Sequence, residues 1–444
     1  MPGREFDEYE RDEEMLESRR LKRLEMKRKR KIQQRIVLGV ALLALVVIIL
    51  LIVRGCSGRE EEKPQDTEQD NQQQEEVVTP PPADPDVTAT LAAVGDIMAY
   101  QSQIDAAQQD DLTYNFKDAF SAVSAYTASA DITVGNLELN MLGTTPYSGS
   151  PTTAPYFNAP EILAQNLSDI GFDILQTANT YSIMNGINGL SSTMRLLNEA
   201  GIDAVGTHTS DPGATGGVIT REVNGIKFAF IAFTKGVNNM TLPLNSEYCV
   251  DLLYTDYNTD YKIVDSTGIL ERVDAAKATD PDVIVAMLHW GSEYETSISD
   301  TQKDIRDLLF KNGVDVILGS HSHVVSPMEM VTVETTEGEK KDCFVAYSLG
   351  NFFSDMSSKQ YAMESVILNL EFTKSGETGE TTISNVNYTP LYILDQGADA
   401  DVRFQVLPIR TALGTSLFDD YKTQMEEAIT HLKTNTNSLY DSGN

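Results

Sequence analysis

The sequence predicts an α/β fold with a largely parallel sheet. Short apolar runs rich in β-branched residues recur at 91–94, 132–134, 172–175, 202–205, 228–233, 283–288 and 314–318. Amphipathic stretches separate several of them, and alternation of this kind is the pattern of strand–helix–strand units. Most of the runs are followed by an Asp, Asn, Glu or His, so polar chemistry is expected at one edge of the sheet.

The chain does not begin with that domain. Residues 1–35 carry twelve Lys/Arg and nine Asp/Glu, with the basic residues concentrated after position 18. Residues 36–53, IVLGVALLALVVIILLIV, contain no charge and no strongly polar side chain. Such a run spans roughly 27 Å as a helix, enough for a hydrocarbon core. The preceding basic cluster should stay cytoplasmic, which places everything after it outside. A cleaved signal peptide fits less well, because the charged leader is long and no small-residue cleavage site follows. The expectation is a single-pass cell-membrane protein whose first partner is the bilayer. Residues 54–88 are rich in Glu, Gln and Pro with almost no large apolar residue, the composition of a disordered acidic spacer that holds the next domain away from the membrane.

The main domain is expected over 89–410. In its first half the stretch 191–200 reads as a helix stopped by Gly201. The unit 283–324 is the most informative. A run fit to be buried on both faces ends at His289, Ser299 and Gln302 have capping-box spacing ahead of a helix, and a second run ends in Gly319-Ser320-His321-Ser322-His323. The stretches 366–372, 383–388 and 402–407 alternate like antiparallel strands. Residues 411–444 read as a terminal helix and tail, with Phe418, Tyr421, Met425 and Ile429 on one face.

Composition narrows the partners. The net charge is −32, and with the slightly basic leader set aside the remainder holds 22 basic against 57 acidic residues. That surface disfavours nucleic acid and would repel an anionic polymer unless a cation intervenes. Three cysteines, Cys56, Cys249 and Cys343, are too scattered for a disulfide framework or a zinc ribbon. Buried thiols are the simpler reading, and a Cys249–Cys343 bridge stays open for an extracytoplasmic domain.

Three of the five histidines lie in the 283–324 unit. Alternate residues of an extended His-x-His segment point to one side and can share a metal, whereas a lone Asp after a strand more often caps a helix, and the isolated His208 and His431 read as structural. Carboxylates with imidazoles suit Mn, Fe or Zn better than Ca. A pair of such ions with a bridging carboxylate would activate water and clamp an oxyanion.

Taken in series, GDIM at 95–98, GNLE at 135–138, HWGSEY at 289–294, GSHSHV at 319–324 and YSLGNF at 347–352 resemble the bacterial capsule-synthesis CapA family over roughly 89–407. That family is associated with poly-γ-glutamate capsule and is similar in fold to calcineurin-like metallophosphoesterases. The resemblance implies a four-layer α/β/β/α sandwich with a dinuclear centre of divalent metal ions. It implies ligands at Asp96, Glu138, His289, His321 and His323, with Asn136 beside them, and a site lined by Asn179, Glu293 and Asn351. Glu293 is equally readable as a partner orienting a histidine. One segment departs from the family pattern: Thr180 stands where a metal-binding Asn is expected, Tyr181 replaces the His that donates to the scissile group, and Met184 replaces an Asp. Tyrosine donates a hydrogen bond but is a poor proton shuttle at neutral pH. Tyr181 and, as a substitute donor, His208 are therefore the catalytic candidates.

Two functions follow. One is an anchored extracytoplasmic metal-dependent hydrolase or transferase acting on an anionic surface polymer or its precursor. The other is a non-catalytic, polymer-binding component of an envelope-polymer machine, in contact with a membrane synthase or export subunit.

Overall fold

Strand β1 (Val87–Ile97) is the spine around which the first sheet is assembled. A computed structural model describes residues 84–144, 147 and 158–443. The expected cytoplasmic tail, the expected membrane helix at 36–53 and the spacer up to residue 83 lie outside the described residues. Among those described, no helix is long and apolar enough to cross a membrane. The spacer boundary expected at Thr88 is corrected: β1 begins at Val87, and Thr88 already pairs with Thr373.

Parallel strands β2 (Ile132–Leu137), β3 (Ile174–Gln176) and β4 (Asp203–Val205) follow β1 in order across the first sheet. The chain then builds a second sheet from β5 (Ile219–Val223), β6 (Ile226–Thr234), β7 (Val283–His289), β8 (Val316–Ser320), β9 (Met328–Glu334) and β10 (Lys340–Ala346), in the spatial order β5-β6-β7-β8-β10-β9. Strands β6, β7, β8 and β10 run parallel, and β5 and β9 close the edges antiparallel. It returns to the first sheet with β11 (Asn351–Phe353), β12 (Glu364–Lys374), β13 (Thr381–Asp395) and β14 (Phe404–Pro408), of which the last three are antiparallel. One largely parallel sheet is thus replaced by two mixed ones. Apolar runs declare a buried strand but not its neighbours, which are set by long-range pairing.

One core joins the two sheets. Leu91, Ala93, Ile132, Val134 and Ile174 from the first pack with Phe228, Phe230, Val285, Met287, Val316 and Leu318 from the second. Alternate residues of the same strands face outward. Ala92, Val94 and Leu175 meet Phe116, Phe120, Leu163, Leu167 and Leu197 on the helical side of the first sheet. Ile231, Ile284, Ala286 and Ile317 meet Ile269, Val273, Ile305 and Leu309 on the helical side of the second. Helices, sheet, sheet and helices therefore lie in four layers, and the central strands β2, β6, β7 and β8 bury both faces.

The helix Asp300–Lys311 starts as its sequence predicts, with Ser299 Oγ accepting from the Gln302 backbone and the Gln302 side chain returning to Ser299. The helix Gly186–Ala200 ends at Gly201, whose φ of 87° only glycine adopts at little cost. The terminal helix is shorter than expected. Residues 416–421 form a 3₁₀ turn broken at Phe418, and the α-helix runs Lys422–Asn435, burying Met425, Ala428 and Leu432, with Phe418, Tyr421 and Ile429 partly buried against the same core. Its buried face joins the core shared by the sheets. Cys249 and Cys343 are free buried thiols in different clusters, so the bridge left open by the sequence is not formed.

Asp441 fastens the carboxyl-terminal segment. It is 3% exposed and takes ion pairs from Arg410 and, at 3.4 Å, from Lys433. Burial pushes its carboxyl up, but the Arg410 hydrogen bond, the Gly443 amide and the Arg410 and Lys433 charges outweigh it, so the net direction is down. A depressed folded value contributes stability above the unfolded carboxyl value of about 3.9, lost as pH falls through the folded value. Asp441→Asn is expected to lower the unfolding midpoint at about pH 7, and the gap from wild type should close as acid is added toward about pH 3. A gap independent of pH would dismiss the ion-pair account.

Candidate metal centre

The carboxyl ends of the parallel strands in both sheets meet at one place. In the first sheet Asp96 is in register with Asn136 on β2 and with Asn351 on β11. In the second, His289 is in register with Thr234 and Ser320. Two glycines allow the approach of the crossing segments. A Cβ on Gly95 would lie 1.8 Å from the Gly350 carbonyl oxygen, and one on Gly319 would lie 2.0 Å from the Tyr347 oxygen.

Asp96 is fully buried. Its Oδ1 accepts from Asn136 Nδ2 at 2.7 Å, and its Oδ2 lies 3.0 Å from His323 Nδ1 and 3.3 Å from the His321 backbone nitrogen. Burial pushes the carboxyl up, while the His323 hydrogen bond and the charges of His323 and His289, with Asn136, draw it down overall. For His323 burial opposes the charged ring, yet the Asp96 bond and the carboxylates of Glu138, Asp96 and Glu293 raise it to about 9. His289 Nε2 lies 3.3 Å from Glu138 Oε1 and 2.9 Å from Thr180 Oγ1, and its Nδ1 meets Ser320 Oγ at 3.0 Å. His321 is driven well below its ordinary value by burial and by the charges of His289, Lys235 and His323, so its ring is neutral. Its Nδ1 is buried with no hydrogen-bond partner among the described residues.

The expected His-x-His geometry is corrected. The two residues do not lie on an extended segment. His321 has φ 94° and His323 φ 60°, both left-handed, in a turn beyond β8. Such backbone costs about 1–3 kcal/mol per residue and persists where surroundings impose it. The turn brings the rings within 6.1 Å of each other, with His321 4.5 Å from His289.

Two groups of residues bring potential ligand atoms within 4.8 Å of one another: Asp96, Glu138 and His289, and Glu138, His321 and His323. Glu138 belongs to both. Buried charges require pairing or metal, and an unpartnered nitrogen on a neutral imidazole is a lone pair suited to a cation. These buried His, Asp and Glu groups are compatible with a metal site.

The amide residues hold the frame. Asn136 Nδ2 also lies 3.4 Å from both Glu138 Oε2 and His289 Nδ1. Asn179, expected to line the substrate site, is instead 1% exposed, donating to Asn136 Oδ1 and the Leu137 carbonyl and accepting from the Tyr181 amide. Asn351 is likewise buried, with Oδ1 3.1 Å from His323 Nδ1 and Nδ2 donating to the Ala362 carbonyl. Both side chains are engaged with other groups of the protein. Glu293 is exposed on the loop after β7, close enough for its charge to act on His323, Tyr181 and Lys235.

Tyr181 is half-buried beside Met98, Met356 and Ala362, with Tyr100. Burial pushes its phenol up, as do the charge of Glu138 and the neighbouring Tyr100, Glu293 and Tyr294. It is a neutral donor. His208 is engaged elsewhere: its Nε2 lies 3.0 Å from Asp251 Oδ2, and Asp251 is also held by Arg272 at 2.9 Å. No contact joins it to the cluster among the described residues. His431 pairs with Glu364 at 2.9 Å.

Sequence reasoning missed Lys235, Tyr100 and Tyr294. Lys235 follows the apolar run 228–233 and so occupies the strand-end position used to select the other candidates. Its amide donates to the His289 carbonyl and its Nζ to the Gly291 carbonyl, at 2.8 and 2.7 Å. Tyr294 stands within the HWGSEY motif, 6.0 Å from the His323 ring.

The class is thus an α/β protein of two sheets with a buried cluster of carboxylates and imidazoles at their common edge. Residues 90–356 match the family model described as bacterial capsule synthesis protein PGA_cap. The chain belongs to that family. It is 25% identical over 273 residues to the capsule biosynthesis protein CapA of Bacillus anthracis, covering 60% of each chain. It is 24% identical over 221 residues to the PGA biosynthesis protein CapA of Bacillus subtilis, covering 50% of this chain and 52% of that one. The chain therefore spans little more than half the length of these curated relatives. Among solved structures, a putative 5′-nucleotidase from Staphylococcus aureus aligns with TM-score 0.41 and 12% identity, over 77% of this chain and 58% of that one.

Proposed function

We propose that this protein acts in the synthesis of a capsule or poly-γ-glutamate-type surface polymer as a membrane-anchored, extracytoplasmic, metal-dependent hydrolase or transferase of metallophosphoesterase type. The observation that carries the reading is Glu138, common to two buried ligand groups drawn from both sheets. Asp96, Glu138 and His289 would hold one divalent ion, and Glu138, His321 and His323 a second, with Mn, Fe or Zn suited to the mixed donors. Bound there, such ions supply Lewis acidity and an activated water. Ser320 orients the His289 ring from Nδ1, and Nε2, beside Glu138 Oε1 and Thr180 Oγ1, would be the nitrogen offered to an ion. Tyr181 donates a hydrogen bond to a substrate oxygen and keeps its own proton at neutral pH.

Tyr181 also supports a second reading, a non-catalytic polymer-binding subunit, because the chain has no proton shuttle at that position. The two are separated by phosphodiester hydrolysis with the detergent-solubilised full chain and Mn²⁺. Slow turnover is expected from wild type, and Tyr181→His is expected to raise it by roughly 10²-fold. Bound metal with no turnover in either protein favours the binding subunit. For topology, a reporter fused at Thr79 is expected to be extracytoplasmic, as the basic leader requires; a cytoplasmic signal would reverse the orientation.

A further inference from the structure

Two lysines at the rim of this site have no carboxylate within ion-pair distance among the described residues. Lys235 Nζ donates to the Gly291 carbonyl and lies 4.7 Å from the centre of the Tyr261 ring. Lys359 Nζ stands 4.7 Å from the centre of the Tyr294 ring, whose other neighbour is His323 at 6.0 Å. Neither makes an ion pair among the described residues, although the chain carries 66 acidic residues. The Gly291 carbonyl and the Tyr261 face hold the Lys235 ammonium, and the Tyr294 face carries that of Lys359, and neither arrangement neutralises the charge.

Both lysines are tied to one loop. Residues 291–294 run from Gly291, which receives Lys235, to Tyr294, which lies beneath Lys359. The Tyr294 amide donates to the Ser322 carbonyl at 2.7 Å, between His321 and His323. The Lys235 charge reaches His321, and Glu293, the exposed carboxylate of the same loop, acts on Lys235. The loop therefore carries one cation toward the His321 side of the cluster and another toward the His323 side. A strongly acidic protein repels an anionic chain everywhere except at such a place.

We infer that Lys235 and Lys359 form an anion-receiving subsite that takes two oxyanions of one substrate, flanking its reacting group, and so selects acidic chains over neutral ones. The inference rests on the function proposed above. Lys359 is exposed and adaptable, and Lys235 is half-buried and fixed, so Lys235 sets the register and Lys359 closes on the neighbouring anion. Carboxylates and phosphates share the required chemistry.

The test is calorimetric binding of pentaglutamate and of tripolyphosphate to the Mn²⁺-saturated full chain in detergent. The Lys235→Gln/Lys359→Gln double variant is expected to bind the preferred probe at least about tenfold more weakly at low salt, the difference shrinking at about 0.2 M salt. Lys359→Arg should retain binding, and unfolding midpoints should match wild type. Preference for pentaglutamate assigns the subsite to carboxylates, and preference for tripolyphosphate to phosphates. Equal binding by wild type and the double variant overturns the inference, as does a wild type that binds neither probe. A wild type that holds no metal overturns the proposed function, and lysine-dependent binding in that protein still upholds the subsite.

Discussion

Gly319→Ala is expected to yield no soluble, folded protein, or one destabilised by more than about 4 kcal/mol. The added methyl would stand 2.0 Å from the Tyr347 oxygen, 2.5 Å from its carbon and 2.7 Å from Trp290 Nε1. None of these can retreat cheaply. Trp290 is 1% exposed and its Nε1 donates to that same Tyr347 oxygen at 2.9 Å. Gly319 is also the β8 residue paired with Leu288, two residues before His321 of the His-Ser-His turn. Any shift that relieved the clash would displace His321 and His323. Gly414→Ala is the matched control: its nearest neighbour is 3.3 Å away and its φ is −78°, so its unfolding midpoint should stay close to wild type. A folded Gly319→Ala protein of wild-type stability would show that β8 and the segment after β10 are further apart than described.

Asp96→Ala is expected to cost both stability and metal. Asp96 is 0% exposed and joins Asn136, His323 and the His321 amide. Its removal leaves the His323 ring, raised to about 9 by its carboxylate neighbours, without its closest counter-charge. Breaking one side of a buried pair costs about 3–5 kcal/mol. Denaturant unfolding should show a loss of that size, and metal retained after desalting should fall by at least about tenfold. Asp96→Asn keeps the shape and one acceptor, so it should recover part of the stability and little of the metal. Full metal retention in the alanine variant would remove Asp96 from the ligand set.

Much of this was legible in the chain because buried parallel strands are written as continuous apolar runs. The runs at 228–233, 283–288 and 314–318 became β6, β7 and β8, and the end of β7 and the turn beyond β8 supply the three histidines of the cluster. Ser299 and Gln302 announced their helix through a local capping geometry. What could not be read depends on contacts distant in sequence. Division into two sheets rests on β1 pairing with β12, about 280 residues later, and on β8 pairing with β10. The left-handed backbone at His321 and His323 has no marker, since only a small minority of histidines adopt it even though they do so more often than most side chains. The family resemblance implied that Asn179 and Asn351 line the site; the structure engages their amides with Asn136, Leu137, Ala362 and His323. His208 was diverted by Asp251 and Arg272, partners 43 and 64 residues away in number. Phe418 failed as a helical residue because the chain kinks there.

The most direct measurement is elemental analysis of the purified full chain after reconstitution with Mn²⁺, Fe²⁺ or Zn²⁺ and removal of free ion. The account predicts about two tightly held divalent ions per chain, falling on His321→Ala and removable by chelator. Less than stoichiometric metal under all three reconstitutions would contradict it.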